Sequence, residues 1–144
     1  MKATFLFRAA AVLFVLFAAG HTAGFLTFQP PSAEGRAVFA DMNRVHFIIG
    51  SSTYSYGNFY KGFGLFITVF DLFTAYLAWY LGSLARRHEA RIVAAIAWPL
   101  AGLQLVGFVL SWLYFGTGPM IFSALGAAIL AGGTVLTKTE PLPS

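Results

Sequence analysis

Apolar residues gather in four stretches along this 144-residue chain: Phe5 to Phe28, Phe63 to Leu84, Ile92 to Phe115 and Pro119 to Thr137. Each is close to the roughly 20 residues that carry a helix across about 30 Å of hydrocarbon. Only helices and closed barrels satisfy their own backbone in lipid, and the alternating segments of a barrel are absent. The pattern predicts an all-α, antiparallel four-helix membrane bundle forming one domain over residues 1–144. Gln29-Pro30-Pro31 stops the first span. The loop that follows, of about thirty residues, is longer than an ordinary connection. In it Val38, Phe39, Met42, Val45 and Ile49 recur at helical spacing, with Arg36, Asp41, Asn43 and Arg44 on the other face. That periodicity predicts an amphipathic helix in the first extracytoplasmic loop. Ser51 to Gly64, rich in hydroxyls, aromatics and glycine, reads as an interfacial belt with a glycine turn, or as a lid over a cavity. Gly116-Thr117-Gly118-Pro119 predicts a tight turn between spans three and four. The tail from Lys138, with Pro141 and Pro143, is too short and polar to fold alone.

Polar positions inside the spans set the faces. At helical spacing span two reads Gly64, Thr68, Asp71, Ala75, Ala78 and Gly82, all small or polar, while Phe66, Phe70, Phe73, Leu77 and Tyr80 take the other faces. Small residues let helices approach closely, so the Asp71 face is expected to be the buried one. A carboxylate in hydrocarbon costs roughly 2.5 to 3.5 kcal/mol on insertion scales, so such groups face a bundle interior or cavity. Span three repeats the arrangement with Ala94, Ala97, Ala101, Gln104 and Ser111, with Gly107 nearby. Span one places Gly20 and Gly24 four apart, a small-xxx-small contact, beside His21 on a stripe with Phe14, Phe17, Phe25 and Phe28. Span four supplies Ser123, Ala127, Leu130 and Thr134, with glycine at 126, 132 and 133.

At 1.5 Å per residue His21 lies roughly 10 Å and Asp71 roughly 12 Å below the outer surface, with Gln104 nearer the midplane. The expectation is a ligand site in the outer half of the bundle formed by His21, Asp71 and Gln104, with Tyr60 of the tyrosine-rich loop above them. A His21 and Asp71 pair keeps both polar groups satisfied at low dielectric and makes them the candidates for any acid and base catalysis. Each residue also has a plain structural reading: an interhelical bond for Asp71, an interface histidine for His21, helix glue for Gln104. Lys61 can instead snorkel to the outer interface.

Composition and charge narrow the classes. Hydrophobic residues make up 58% and charged residues 10% of the chain, against about 25% charged in a soluble domain. The absence of cysteine excludes disulfides, CxxC redox chemistry and thiolate metal sites, and with them cysteine-pair reductases. Lys2, Arg8, Arg86, Arg87, Arg91 and Lys138 fall on one side of a four-span topology, and Arg36, Arg44 and Lys61 on the other. Six against three predicts cytoplasmic termini and explains the net charge of +4 without nucleic acid. The apolar run to Phe28 outlasts a signal-peptide core, so the first span is expected to be retained. His21, His46 and His88 show no metal-ligand spacing, so no metal is expected, and no nucleotide loop or hydrolase motif calls for a cofactor.

Gly20-His21-Thr22-Ala23-Gly24, Met42, and Phe59-Tyr60-Lys61-Gly62-Phe63-Gly64-Leu65 resemble an uncharacterised family of small four-span bacterial membrane proteins over roughly the first 85 residues. The resemblance implies an inner-membrane setting and an intact first span, and it carries no activity. Three functions are expected. The first is binding or passage of a small, largely apolar molecule at the His21 and Asp71 site. The second is a membrane enzyme acting on a lipid or isoprenoid with that pair as acid and base. The third is a structural subunit that packs another membrane protein or a second copy.

Overall fold

The computed structural model describes residues 2–139. The expectation for Pro141 and Pro143 lies outside them. The elements run α1 (Lys2–Thr27), α2 (Ala33–Arg44), β1 (His46–Ile49), β2 (Ser52–Ser55), α3 (Tyr56–Arg86), α4 (Ala90–Leu110), a π-helical turn (Ser111–Phe115) and α5 (Thr117–Thr139). Lys2–Thr27, Tyr56–Arg86, Ala90–Phe115 and Thr117–Thr139 are long and apolar enough to cross a membrane, so the chain is an all-α, multi-pass membrane protein as the apolar pattern predicts. Its contacts divide it into two compact units, Met1–Phe17 with Asp71–Ser144, and Ala18–Phe70.

The first unit is a helical core built from small residues and two phenylalanines. Ala3, Phe7, Ala10, Ala11 and Phe14 of α1 are buried in one cluster with Ala75, Ala78 and Leu81 of α3, Val93, Ala97 and Ala101 of α4, and Leu130 of α5. Between apolar helices in lipid, close van der Waals packing does the work that water exclusion does elsewhere. Glycines of α5 supply the sockets: a Cβ at Gly133 would lie 3.0 Å from the Phe7 ring, and one at Gly126 would lie 3.1 Å from Phe14. The Gly107 position faces Ser123 in the same way, at 3.2 Å from its Oγ. Two buried hydroxyls of α5 are satisfied within their own helix, Thr134 donating to the Leu130 carbonyl (2.7 Å) and Thr137 to Gly133 (2.8 Å). Phe73, Trp79, Leu105, Val106 and Trp112 are exposed, an apolar outer surface that would be anomalous in water and is normal in hydrocarbon.

Arg8 adds a packing role to its place in the charge count. Its guanidinium carbon lies 3.3 Å from the centroid of the Trp79 ring, and Nη2 donates to Ser83 Oγ at 3.0 Å. Nη1 is buried without a hydrogen-bond acceptor among the described residues, and the electron-rich ring face supplies negative potential there.

Two turns of this unit differ from simple loops. After α3 the Glu89 amide donates to the Leu84 carbonyl (3.2 Å) and the His88 amide to Ala85 (3.2 Å), the paired bonds of a Schellman cap. His88 takes the left-handed position, φ 60°, that glycine usually fills. At the other turn the Gly116 amide donates to the Ser111 carbonyl at 2.8 Å, closing the π-helical turn, and Gly116 itself has φ 87°. The chain reverses at this single residue. Gly118 and Pro119 belong to the first turn of α5, where a missing amide hydrogen costs no helical bond, so the predicted four-residue turn is corrected.

The second unit holds the end of α1, α2, the strands and the start of α3. Ser32 caps α2, its Oγ accepting from the Gly35 amide at 2.9 Å. The amphipathic helix is present but ends at Arg44. Val45 is its C-cap and Ile49 lies in β1, so the apolar periodicity beyond Met42 belongs to a strand. β1 and β2 form an antiparallel hairpin pairing His46 with Ser55 and Ile49 with Ser52, around a two-residue Gly50-Ser51 turn with Gly50 at φ 61°. Ser55 is buried and its Oγ accepts from the Asn58 amide at 3.0 Å, so α3 starts at Tyr56 rather than Phe63. The expected Gly20 and Gly24 contact is absent: a Cβ at either position meets nothing within 4 Å among the described residues.

Candidate functional site

Within the second unit, bonds and ring contacts tie the end of α1 to the start of α3. His21 Nε2 lies 3.1 Å from the Gly64 carbonyl oxygen. A carbonyl only accepts, so Nε2 carries the hydrogen of this bond. Thr22 Oγ1 donates to the Ala18 carbonyl at 2.7 Å, which uses its one hydrogen. In the 2.7 Å contact between Thr22 and Thr68 the donor is therefore Thr68.

One turn further on, Phe25 organises the aromatic side chains. It stacks with His21 (centroids 5.7 Å apart) and packs against Tyr60 (5.1 Å), which meets Phe39 of α2 edge-on (6.2 Å). A Cβ at Gly64 would overlap the Phe25 ring, so the ring can sit this close to α3 only because that position has no side chain.

Beside these rings, where α1 gives way to the two prolines, lies an open cavity of about 320 Å³. Phe25, Leu26, Phe28 and Phe39 form apolar wall, and Tyr60, Arg36 and Lys61 bring polar atoms to it. Arg36 is oriented by its own loop, Nη1 donating to the Pro31 carbonyl at 2.8 Å and more distantly to Pro30 at 3.4 Å. No carboxylate lines the cavity. Asp41 of α2 is engaged elsewhere, bonded through Oδ1 to Arg44 at 2.9 Å.

Of the four residues expected to bind ligand, two belong to each unit. His21 and Tyr60 lie in the second unit, linked through Phe25, and Tyr60 lines the cavity. Asp71 and Gln104 lie in the first unit, both buried at 8% exposure. Asp71 shares its buried face with Thr74, Ala75 and Ala78, the face assigned to it by the small-residue stripe. Gln104 Oε1 faces Gly126 of α5, where a Cβ would come within 3.2 Å of it, so this side chain fills a gap between α4 and α5.

From the sequence Arg36 reads as polar face of the amphipathic helix and Lys61 as an interfacial anchor, both also as topological charges, and neither is among the expected ligand-site residues. Their signal as a site was the aromatic company each keeps, Phe39 beside one and Phe59-Tyr60 beside the other. The first unit has two larger or similar grooves, of about 520 Å³ along Trp98, Leu105 and Ala128 and about 350 Å³ along Val12, Leu72 and Trp79. Neither is lined by a charged side chain, and both read as surface for lipid tails. Among the described residues no three His, Asp or Glu side chains gather where they could hold a metal ion. No protein-family model, curated protein or solved structure matches the chain.

Proposed function

We propose that this membrane protein binds a small, largely apolar molecule, with the cavity of the second unit as its site. The observation that carries the reading is the cavity itself: about 320 Å³, walled by Phe25, Leu26, Phe28 and Phe39, with a few polar groups at one side. That is the make-up of a small-molecule pocket, in which apolar wall provides affinity and sparse polar groups provide orientation. His21 and Tyr60 hold Phe25 from two sides and shape the wall. The proposed setting is the bacterial inner membrane with both termini cytoplasmic, which puts the cavity on the outer side; the distribution of basic residues supports it.

The test is binding of the neutral fluorophore N-phenyl-1-naphthylamine to the purified full chain in a maltoside detergent. Saturable binding with one site per chain is expected, and Thr27→Trp should remove it by filling the cavity. Thr27 bonds only its own helix, to the Ala23 carbonyl at 2.7 Å, so the change leaves packing intact. Binding that is unsaturable, or indifferent to Thr27→Trp, would overturn the proposal. Orientation is read separately: the cysteine-free chain accepts single cysteines, and Ser52→Cys should react with an impermeant maleimide from outside while Arg87→Cys should not.

A further inference from the structure

Both charged side chains that line the cavity are cations, and we infer that its ligand is an anionic phospholipid, with the headgroup phosphate between Arg36 and Lys61 and its acyl chains on the aromatic wall. The inference rests on the binding role proposed above and names the ligand's class. Three observations carry it. First, neither cation is spent on a protein anion. Arg36 uses Nη1 on two proline carbonyls, and its Nε and Nη2, like Lys61 Nζ, make no protein hydrogen bond among the described residues. A guanidinium presents a planar fork suited to phosphate oxygens, and an ammonium adds a point charge, so the pair suits one phosphate.

Second, no acid lines the cavity, so a zwitterionic headgroup would bring a cation into a region that already holds two. A headgroup with net negative charge has no such penalty. Third, the anion's source is set by the wall. Free phosphate has no use for Phe25, Leu26, Phe28 and Phe39, which line the same cavity as the cations. The cavity opens where a membrane-crossing helix ends at Thr27, the level at which phospholipid phosphates lie beside tyrosine and lysine anchors. At about 320 Å³ it takes a headgroup and the first carbons of the chains, leaving the rest in the bilayer.

The experiment is native mass spectrometry of the full chain released from maltoside micelles containing equal amounts of phosphatidylglycerol and phosphatidylcholine. The wild type should retain phosphatidylglycerol about tenfold over phosphatidylcholine, and Arg36→Gln with Lys61→Gln should abolish that preference, since the penalty on a cationic headgroup goes with the two cations. Lys61→Gln alone, which breaks no protein hydrogen bond among the described residues, should reduce the preference by at least about threefold. Arg86→Gln with Arg87→Gln, at the α3 and α4 turn, should leave it unchanged. A preference that survives loss of both cavity cations, or that falls equally in the turn variant, overturns the inference. So does displacement of the lipid by millimolar inorganic phosphate, which would make the site a reader of the free anion. The naphthylamine separates the two proposals: if it binds the wild type and double variant alike while no lipid preference is found, only the phospholipid inference fails. If the probe does not bind at all, the binding role fails with it.

Discussion

Both units set phenylalanine rings against glycine, with opposite results. In the first, Phe7 and Phe14 enter the positions opposite Gly133 and Gly126 and are fully buried, their sockets closed by alanines of neighbouring helices. In the second, Phe25 lies against Gly64 and remains partly exposed, one wall of a cavity. The surroundings decide between the two. Where every flanking element contributes small apolar side chains the ring completes a core. Where they contribute two prolines, an arginine and a lysine, the ring is left facing open space. Particular polar groups differ too: the buried hydroxyls Thr134 and Thr137 of the first unit turn back on their own helix, whereas Thr68 and His21 of the second bond across to another. A tightly packed scaffold and a looser, more polar region are a common pairing within one chain.

The sharpest way to break this comparison is to remove a ring from the packed unit. Phe7→Ala should lower stability by about 3 kcal/mol, the low end for such truncations because lipid weakens the transfer contribution. Unfolding in mixed detergent and dodecyl sulfate micelles measures it. Filling the socket from the other side, Gly133→Leu should cost about 2 kcal/mol in the same assay through overpacking against Phe7. In the second unit, Ser32→Ala removes the α2 cap and should cost about 1 kcal/mol, seen as faster amide exchange confined to α2. At the α3 and α4 turn the sign reverses, and His88→Gly should raise stability by about 0.5 to 1 kcal/mol by relieving the left-handed backbone. Smallest of all, Gly24→Leu should change the stability of the isolated chain by less than about 0.5 kcal/mol, because its surroundings are empty. A loss approaching that of Gly133→Leu would mean another chain packs on this face in the membrane.

The four spans and their buried faces were legible because each rests on a local, repeated signal. The stripe Asp71, Ala75, Ala78 and Gly82 is buried, as are Ala97, Ala101 and Gln104, and Ser123, Ala127, Leu130 and Thr134. The β-hairpin was missed because Val45 and Ile49 continue the apolar spacing of α2, so a helical period ran unnoticed into a strand. The punctuation that marks it is Gly50-Ser51, a two-residue turn between β-branched and aromatic residues. Span one misled through Gly20 and Gly24, since spacing identifies a face that permits close approach without supplying a neighbour. Of the candidate site, Tyr60 was recognised and lies at the cavity, while Arg36 and Lys61 were not. They stand 25 positions apart in the chain, and only the proline-directed fold of the loop makes them line one space. Tertiary encounters of that kind leave no periodic trace.

The contact of Phe25 with Gly64 has a consequence for divergence within any lineage that carries this chain. Every other lining side chain can drift among residues of similar character while the cavity keeps its shape. Position 64 cannot accept even a methyl group without displacing the Phe25 ring from its place in the wall. Descendants that still use the cavity are therefore held to glycine there, and those that have abandoned it are released. The smallest residue in the region becomes the marker by which use and disuse of the cavity can be told apart from sequence.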